Sequence, residues 1–170
     1  MIIKLELANA FDRVKHSFLL KVMENFGFSN GLINQIRTCI SSPWIAPLIN
    51  RRPTELFQAS RGIRNGCPLS SFLYILMADS LSRNLQAEKE EGTLPGIKIV
   101  EGAQAINHAI FADVVIFLGG ASERIEKGFK RNLADYFRVS GGLINVGKSD
   151  IYGWNTDQKL MNKIATTLGM

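Results

Sequence analysis

A carboxylate stands in the middle of the most apolar stretch of the chain, and this constrains the fold more than any other feature. Asn107 to Ala112 and Val114 to Leu118 are both rich in apolar residues, and only Asp113 separates them. Two such runs with almost nothing between them predict a tight antiparallel hairpin. Two-residue hairpin turns favour Asn-Gly or Asp-Gly because their central residues take positive φ. Ala112-Asp113 has no glycine to take that strain. Strain held at a charged residue hints at a site, whereas Asp is also common in ordinary turns. On the residues alone both readings stand. Asp113 also interrupts the longest apolar near-run, so no stretch reaches the length of a membrane span.

A second strand is legible at the start. In Ile2 to Ala8, Ile3, Leu5 and Leu7 share one face while Lys4 and Glu6 share the other. A chain that opens inside a half-buried strand is expected to be a fragment. Ser17 is placed to cap a helix running to Phe26, with Gly27 as its stop, and Asn30 to cap the next. Trp44 to Asn50 and Thr54 to Ala59 read as strands joined by the basic turn Arg51-Arg52-Pro53. A long helix is expected from Ser70 to Glu90. Beyond it come a short strand at Ile97 to Val100, a helix capped by Ser122 and running to about Val139, a strand at Leu143 to Val146, and a helix from Thr156 to Leu168. Strand pairs with helices on one side make an α+β fold.

The chain has 170 residues, enough for one domain with a real core. Its 20 Lys and Arg against 15 Asp and Glu give a net charge of +5, which raises the prospect of a polyanionic partner only modestly. Cys39 and Cys67 form no CxxC pair or Cys/His cluster, so neither a zinc site nor a disulfide framework is expected, and a reduced, intracellular setting follows. The first residues, Met-Ile-Ile-Lys-Leu-Glu-Leu, lack the pattern of a signal peptide.

Other candidate residues are weak when taken singly. Glu6 beside Lys4 reads as a solvated strand residue, unless its strand neighbours the Asp113 hairpin. Carboxylates from two neighbouring strands suit a hard divalent cation. The glycine-bracketed loop Gly62 to Ser70 leads into a helix and carries Arg64, but its spacing matches neither a P-loop nor a dinucleotide fingerprint. Lys148, after a possible strand, reads alone as a surface lysine.

Taken in order, these segments resemble the reverse transcriptases of LINE-type, non-LTR retrotransposons, particularly plant ones. Ile3 to Val14 looks like the first palm motif, written D-x-x-x-A-F-D. Arg61 to Tyr74 looks like the second, usually R-Q-G-C-P-L-S-P. Phe111-Ala112-Asp113-Val114 looks like the F/Y-A-D-D box, and Ser140 to Ser149 is similar to the S-G-L-x-I-N-x-x-K-S motif that follows. The resemblance implies a polymerase palm, an antiparallel sheet with helices packed on one face, that copies RNA or DNA into DNA. It implies Mg2+ or Mn2+ as cofactor, held by Glu6 and Asp113. Lys148 would approach the pyrophosphate and Phe11 would pack under the deoxyribose. Arg64, Asn65, Gly66, Pro68 and Ser70 would lie against the template base and the incoming deoxynucleoside triphosphate. The partners implied are an RNA or DNA primer–template, with no membrane, in the nucleus or cytoplasm.

Departures from the family pattern carry equal weight. Glu6 stands where the family has Asp, Val114 where it has a second Asp, and Asn65 and Ser71 where it usually has Gln and Pro. Glu6 extends its carboxylate by one methylene, ~1.5 Å. The expectation for residues 1–170 is a single partial reverse transcriptase domain, a palm without thumb and with most of the fingers absent, impaired in catalysis. Two further readings are a palm-derived module that only binds nucleic acid, and an α+β interaction domain whose charge is incidental.

Overall fold

The computed structural model describes residues 1–169. In chain order these form β1 (Ile2–Glu6), α1 (His16–Asn25), α2 (Asn30–Ser41), the two-residue strands β2 (Trp44–Ile45), β3 (Leu48–Ile49), β4 (Arg52–Pro53) and β5 (Phe57–Gln58), then α3 (Pro68–Glu90), β6 (His108–Phe111), β7 (Val114–Leu118), α4 (Glu123–Ser140), a 3-10 turn (Val146–Lys148), β8 (Asp150–Tyr152) and α5 (Gln158–Leu168). The fold is α+β, and the chain divides into two compact units. One comprises residues 1–10, 78–138 and the chain from Gly142 on; the other comprises 11–77 and 139–141.

The first unit is built on a four-stranded antiparallel sheet of order β6-β7-β1-β8. Alternation in β1 decides which face is buried. Ile3 and Leu5 are fully buried together with Val115 and Phe117 of β7, and Phe117 stacks on Phe129 of α4 at 4.2 Å between ring centroids. Leu81 and Leu85 of α3 and Leu133 of α4 complete that core, so the helices cover one face of the sheet. The other face carries Lys4 and Glu6. Asn107 joins β6 to α3: its amide donates to the carbonyls of Leu85 (2.6 Å) and Leu94 (3.2 Å). His108 continues the chain of bonds through Ser82 Oγ at 2.7 Å, and burial holds its imidazole below the ordinary value.

Among the buried side-chain oxygens of this unit that make no hydrogen bond, one belongs to a carboxylate buried almost completely. Glu126 of α4 is 2% exposed and its Oε1 makes no hydrogen bond. Burial raises its pKa, with Lys130 and Lys127 opposing. The folded carboxyl therefore holds its proton more tightly than the unfolded one. Stability falls as pH rises from the ordinary value of 4.5 through the raised one, and is level above it. Glu126→Met should abolish that slope and add ~1 kcal/mol at neutral pH. Urea denaturation across the carboxylate range checks both.

In the second unit α1 and α2 pack together, and two short strand pairs, β2 with β5 and β3 with β4, form a hairpin. Its turn is Asn50-Arg51, both at positive φ (49° and 63°), one residue earlier than the basic turn expected from sequence. The other differences are local. Lys15 in extended conformation precedes α1, and Ser17 lies inside that helix. Ser29, not Asn30, caps α2 by accepting from Leu32 N. Ile97 makes only a single bridge, to Ile106, and Ile144 only one, to Leu7. The strand of that region is β8, which the sequence reading missed because Asp150-Ile151-Tyr152 is too short to show alternation. Pro68 opens α3 at the position where a missing N–H is harmless.

Candidate functional site

The end of β1 brings Glu6 opposite Val114, the first residue of β7. One residue on, Leu7 N donates to Asp113 O at 2.8 Å, so the hairpin tip is bonded to the end of β1. Phe111 pairs with Val114, leaving Ala112 and Asp113 as a two-residue turn in which Ala112 has φ +50°. The expected hairpin is present, and its strain falls on the residue before the carboxylate.

A third segment closes the same end. Asn145 N donates to Glu6 O at 2.8 Å, and Glu6 N donates to Ser149 Oγ at 3.1 Å. Ser149 Oγ in turn donates to Asn145 O at 2.8 Å. These bonds fix the 3-10 turn that carries Lys148, whose Nζ lies 2.8 Å from Glu6 Oε1. The hydrogen bond to Glu6 and the Glu6 charge raise the Lys148 pKa, and the Asp113 charge adds to them. Glu6, Asp113 and Lys148 therefore form one cluster. Ser149 belongs to it as well, a residue whose role in holding Glu6 no sequence signal indicated.

Carboxylate oxygens are the donors that hard divalent cations take. Among the described residues, no group of three or more His, Cys, Asp or Glu side chains gathers to hold a metal. The partner position across from Glu6 is Val114, which offers no oxygen, and an ammonium already sits on Glu6. Two carboxylates, one of them engaged by an ammonium, do not make a donor set for a pair of divalent cations.

The remaining predicted residues lie in the second unit. Ile63 N donates to Phe11 O at 3.0 Å and Gly62 N to Val14 O at 2.8 Å, tying the segment after β1 to the glycine-bracketed loop. His16 Nε2 bonds Gly62 O at 2.7 Å, and Asn65 Nδ2 reaches Asp12 Oδ1 at 3.4 Å. Phe11 stacks on Tyr74 of α3, with centroids 4.8 Å apart. A cavity of about 880 Å3 is lined by Arg64, Asn65, Cys67 and Ser70 of the loop, with Asp12. Gly66 and Pro68 flank Cys67 in the same loop. The backbone N–H groups of Ser70 and Leu69 hold the Cys67 thiol below its ordinary pKa. Asp12 and His16 were not singled out from sequence, although Asp12 closes the first motif.

Comparison with known proteins bears on this arrangement. Residues 1–164 match the family model described as reverse transcriptase (RNA-dependent DNA polymerase). An uncharacterized mitochondrial protein of Arabidopsis thaliana is 44% identical over 66 residues, which are 39% of this chain and 54% of that protein. A Pol polyprotein from the type-1 retrotransposable element R2 of Popillia japonica is 26% identical over 147 residues, covering 86% of this chain and 23% of its own length. Among solved structures, telomerase from Candida albicans in complex with a fragment of telomeric RNA aligns with a TM-score of 0.67 at 13% identity, over 92% of this chain and 27% of that one. Telomerase from Candida tropicalis aligns with a TM-score of 0.65 at 15% identity, over 92% of this chain and 31% of that one. The structural likeness establishes a shared fold. The chain spans about half the length of the Arabidopsis relative and about a quarter of the R2 one.

Proposed function

The chain belongs to the reverse transcriptase family, and on that premise we propose that residues 1–170 are the palm of an RNA-directed DNA polymerase of the non-LTR retrotransposon kind, impaired in its chemistry. The observation that carries this reading is the cluster at the end of β1. Glu6 at the end of β1 and Asp113 in the turn between β6 and β7 share the neighbourhood of one ammonium, Lys148. In this reading Glu6 and Asp113 are the donors for Mg2+ or Mn2+, and Lys148 faces the pyrophosphate. Phe11, Arg64, Asn65, Gly66, Pro68 and Ser70 meet the deoxynucleoside triphosphate and template base.

A divalent ion in such a site supplies charge stabilisation to a transferring phosphoryl group. Because the donor set does not fit two ions, the chain's residues support binding more strongly than catalysis. Val114 and the Lys148–Glu6 contact thus favour the second reading, a palm that retains nucleic-acid binding with its chemistry lost. No helix among the described residues is long and apolar enough to cross a membrane.

Both readings require a grip on primer–template duplex. With a net charge of +5, that grip should be non-specific and carried by phosphate contacts. Affinity will then fall as salt rises, with a log–log slope of about −0.9 per phosphate neutralised. A titration of labelled duplex from low to high salt tests this. Salt-independent binding, or none at low salt, would remove both readings and leave the α+β interaction domain.

A further inference from the structure

Away from the cluster at the end of β1, three side chains of the first unit form a hydrogen-bonded relay that the function argued above leaves unused. Ser82 Oγ lies 2.7 Å from His108 Nε2, and His108 Nδ1 lies 2.7 Å from Asn107 Oδ1. Asn107 sets the direction of the relay. It is 1% exposed, and its amide nitrogen donates to the carbonyls of Leu85 and Leu94. Its oxygen therefore faces the imidazole, and an amide oxygen can only accept. His108 must then carry its proton on Nδ1, which leaves Nε2 to accept from the Ser82 hydroxyl. Burial and the Lys89 charge lower the His108 pKa, so the imidazole is a free base at neutral pH.

A hydroxyl aimed at the free nitrogen of a neutral imidazole, itself oriented by an amide oxygen, is the arrangement that makes a serine nucleophilic. A mere tether between β6 and α3 would be served by either imidazole tautomer, because a hydroxyl both donates and accepts. The buried Asn107 selects the one tautomer in which Nε2 is a base towards Ser82. Ser82 and His108 are only half-buried, so the hydroxyl can be reached from solvent. The segment leading into Asn107 is pinned by paired bonds, Ile97 N to Ile106 O (2.9 Å) and Ile106 N to Ile97 O (2.8 Å), and by Lys89 Nζ donating to Ala105 O at 3.1 Å. It holds Ile99, Val100 and Ile106 towards solvent, 72%, 62% and 40% exposed. Apolar side chains with the Lys89 ammonium suit a substrate that has an apolar acyl group and a carbonyl oxygen that turns negative on attack.

We propose that Ser82 is an acyl-accepting nucleophile for small esters with an apolar acyl group, with His108 as its general base and Asn107 as the residue that positions the base. Ser82 Oγ bonds to the carbonyl carbon while its proton passes to His108 Nε2. The ester C–O bond then breaks, and the leaving alcohol takes that proton. Water next attacks the acyl-serine and gives a proton to Nε2; the acyl C–O bond to Ser82 breaks, the acid departs, and the proton returns to Ser82 Oγ. The relay needs neither a divalent cation nor nucleic acid, so its test leaves the palm reading untouched.

The test treats the whole chain with a fluorophosphonate, whose fluoride an activated serine displaces, and with p-nitrophenyl butyrate, and locates the adducts by peptide mass spectrometry. Ser82 is expected to be labelled about 10^2-fold faster than Ser42, an exposed serine, and nitrophenol to be released in a burst. Ser82→Ala should abolish the burst. His108→Gln should slow labelling of Ser82 by about 10^2-fold, because glutamine still accepts a bond from the hydroxyl but has no basic nitrogen. Imidazole nitrogen shifts by NMR should place the proton on Nδ1 in the unmodified chain and on either nitrogen in Asn107→Ser. Thermal melts establish that each variant folds; where one does not, the labelling and tautomer of the unmodified chain decide. Ser82 labelled no faster than Ser42, labelling indifferent to His108→Gln, or a proton on Nε2 in the unmodified chain would overturn the proposal and leave the relay as a tether between β6 and α3.

Discussion

Restoring both acidic residues, Glu6→Asp together with Val114→Asp, is expected to raise divalent-dependent incorporation of a deoxynucleotide by at least about 10^2-fold over the unmodified chain. Two metals ~3.5–4 Å apart need several anionic oxygens to offset their mutual repulsion. The unmodified chain offers Asp113 and a Glu6 carboxylate that reaches ~1.5 Å beyond an aspartate at the same position. Val114 is only half-buried, so an aspartate there would meet solvent and not an apolar core. Its register opposite Glu6 brings the new carboxylate beside the existing pair. Either single revertant should recover less than the double, because the two positions act on one site. Single-turnover extension with enzyme in excess, in Mg2+ and then Mn2+, resolves the series. The comparison is made in the chain itself and in an active family member carrying its palm segment. A double revertant no better than the unmodified chain in the active host would mean that Val114 and Glu6 are not what limits it.

Gly141→Ala is expected to unfold or severely loosen the second unit, at a cost of ~3 kcal/mol or more. Gly141 has φ +87°, and a Cβ there would run into the carbonyl oxygen of Arg13. That backbone cannot move freely. Arg13 Nε donates to Gly141 O at 3.0 Å, and Lys15 N donates to Ser140 O at 2.9 Å. Gly66→Ala is the control. Its φ is +75° but a Cβ would stand in open space, so it should cost only ~1 kcal/mol. Urea denaturation measures both, and equal losses would show that the clash with Arg13 is relieved.

The strand pattern was legible wherever alternation or an apolar run was long enough to show a period. Ile3, Leu5 and Leu7 announced the buried face of β1, and the runs around Asp113 announced the hairpin. Elements of two or three residues carry no period, which is why β8 was missed and why the hairpin turn was placed one residue late, at Arg51 to Pro53 and not at Asn50-Arg51. Helix starts were displaced for a similar reason. Ser17 and Asn30 both look like caps, and only tertiary context selects Lys15 and Ser29 instead. Within the site, the adjacency of Glu6 and Asp113 followed from motif order. The bonds that hold Glu6 did not, because Asn145, Ser149 and Lys148 approach it from far along the chain.

Binding of Mn2+ to the unmodified chain tests the central claim most directly, because it needs no chemistry to occur. Paramagnetic resonance titration should find one weak site per chain that is lost in Asp113→Asn and in Glu6→Gln. Lys148→Met should strengthen it by removing the ammonium that sits 2.8 Å from Glu6 Oε1. The double revertant should hold two ions. Two tight sites in the unmodified chain, or one site indifferent to Asp113→Asn, would contradict the assignment of this cluster as an impaired divalent-cation centre.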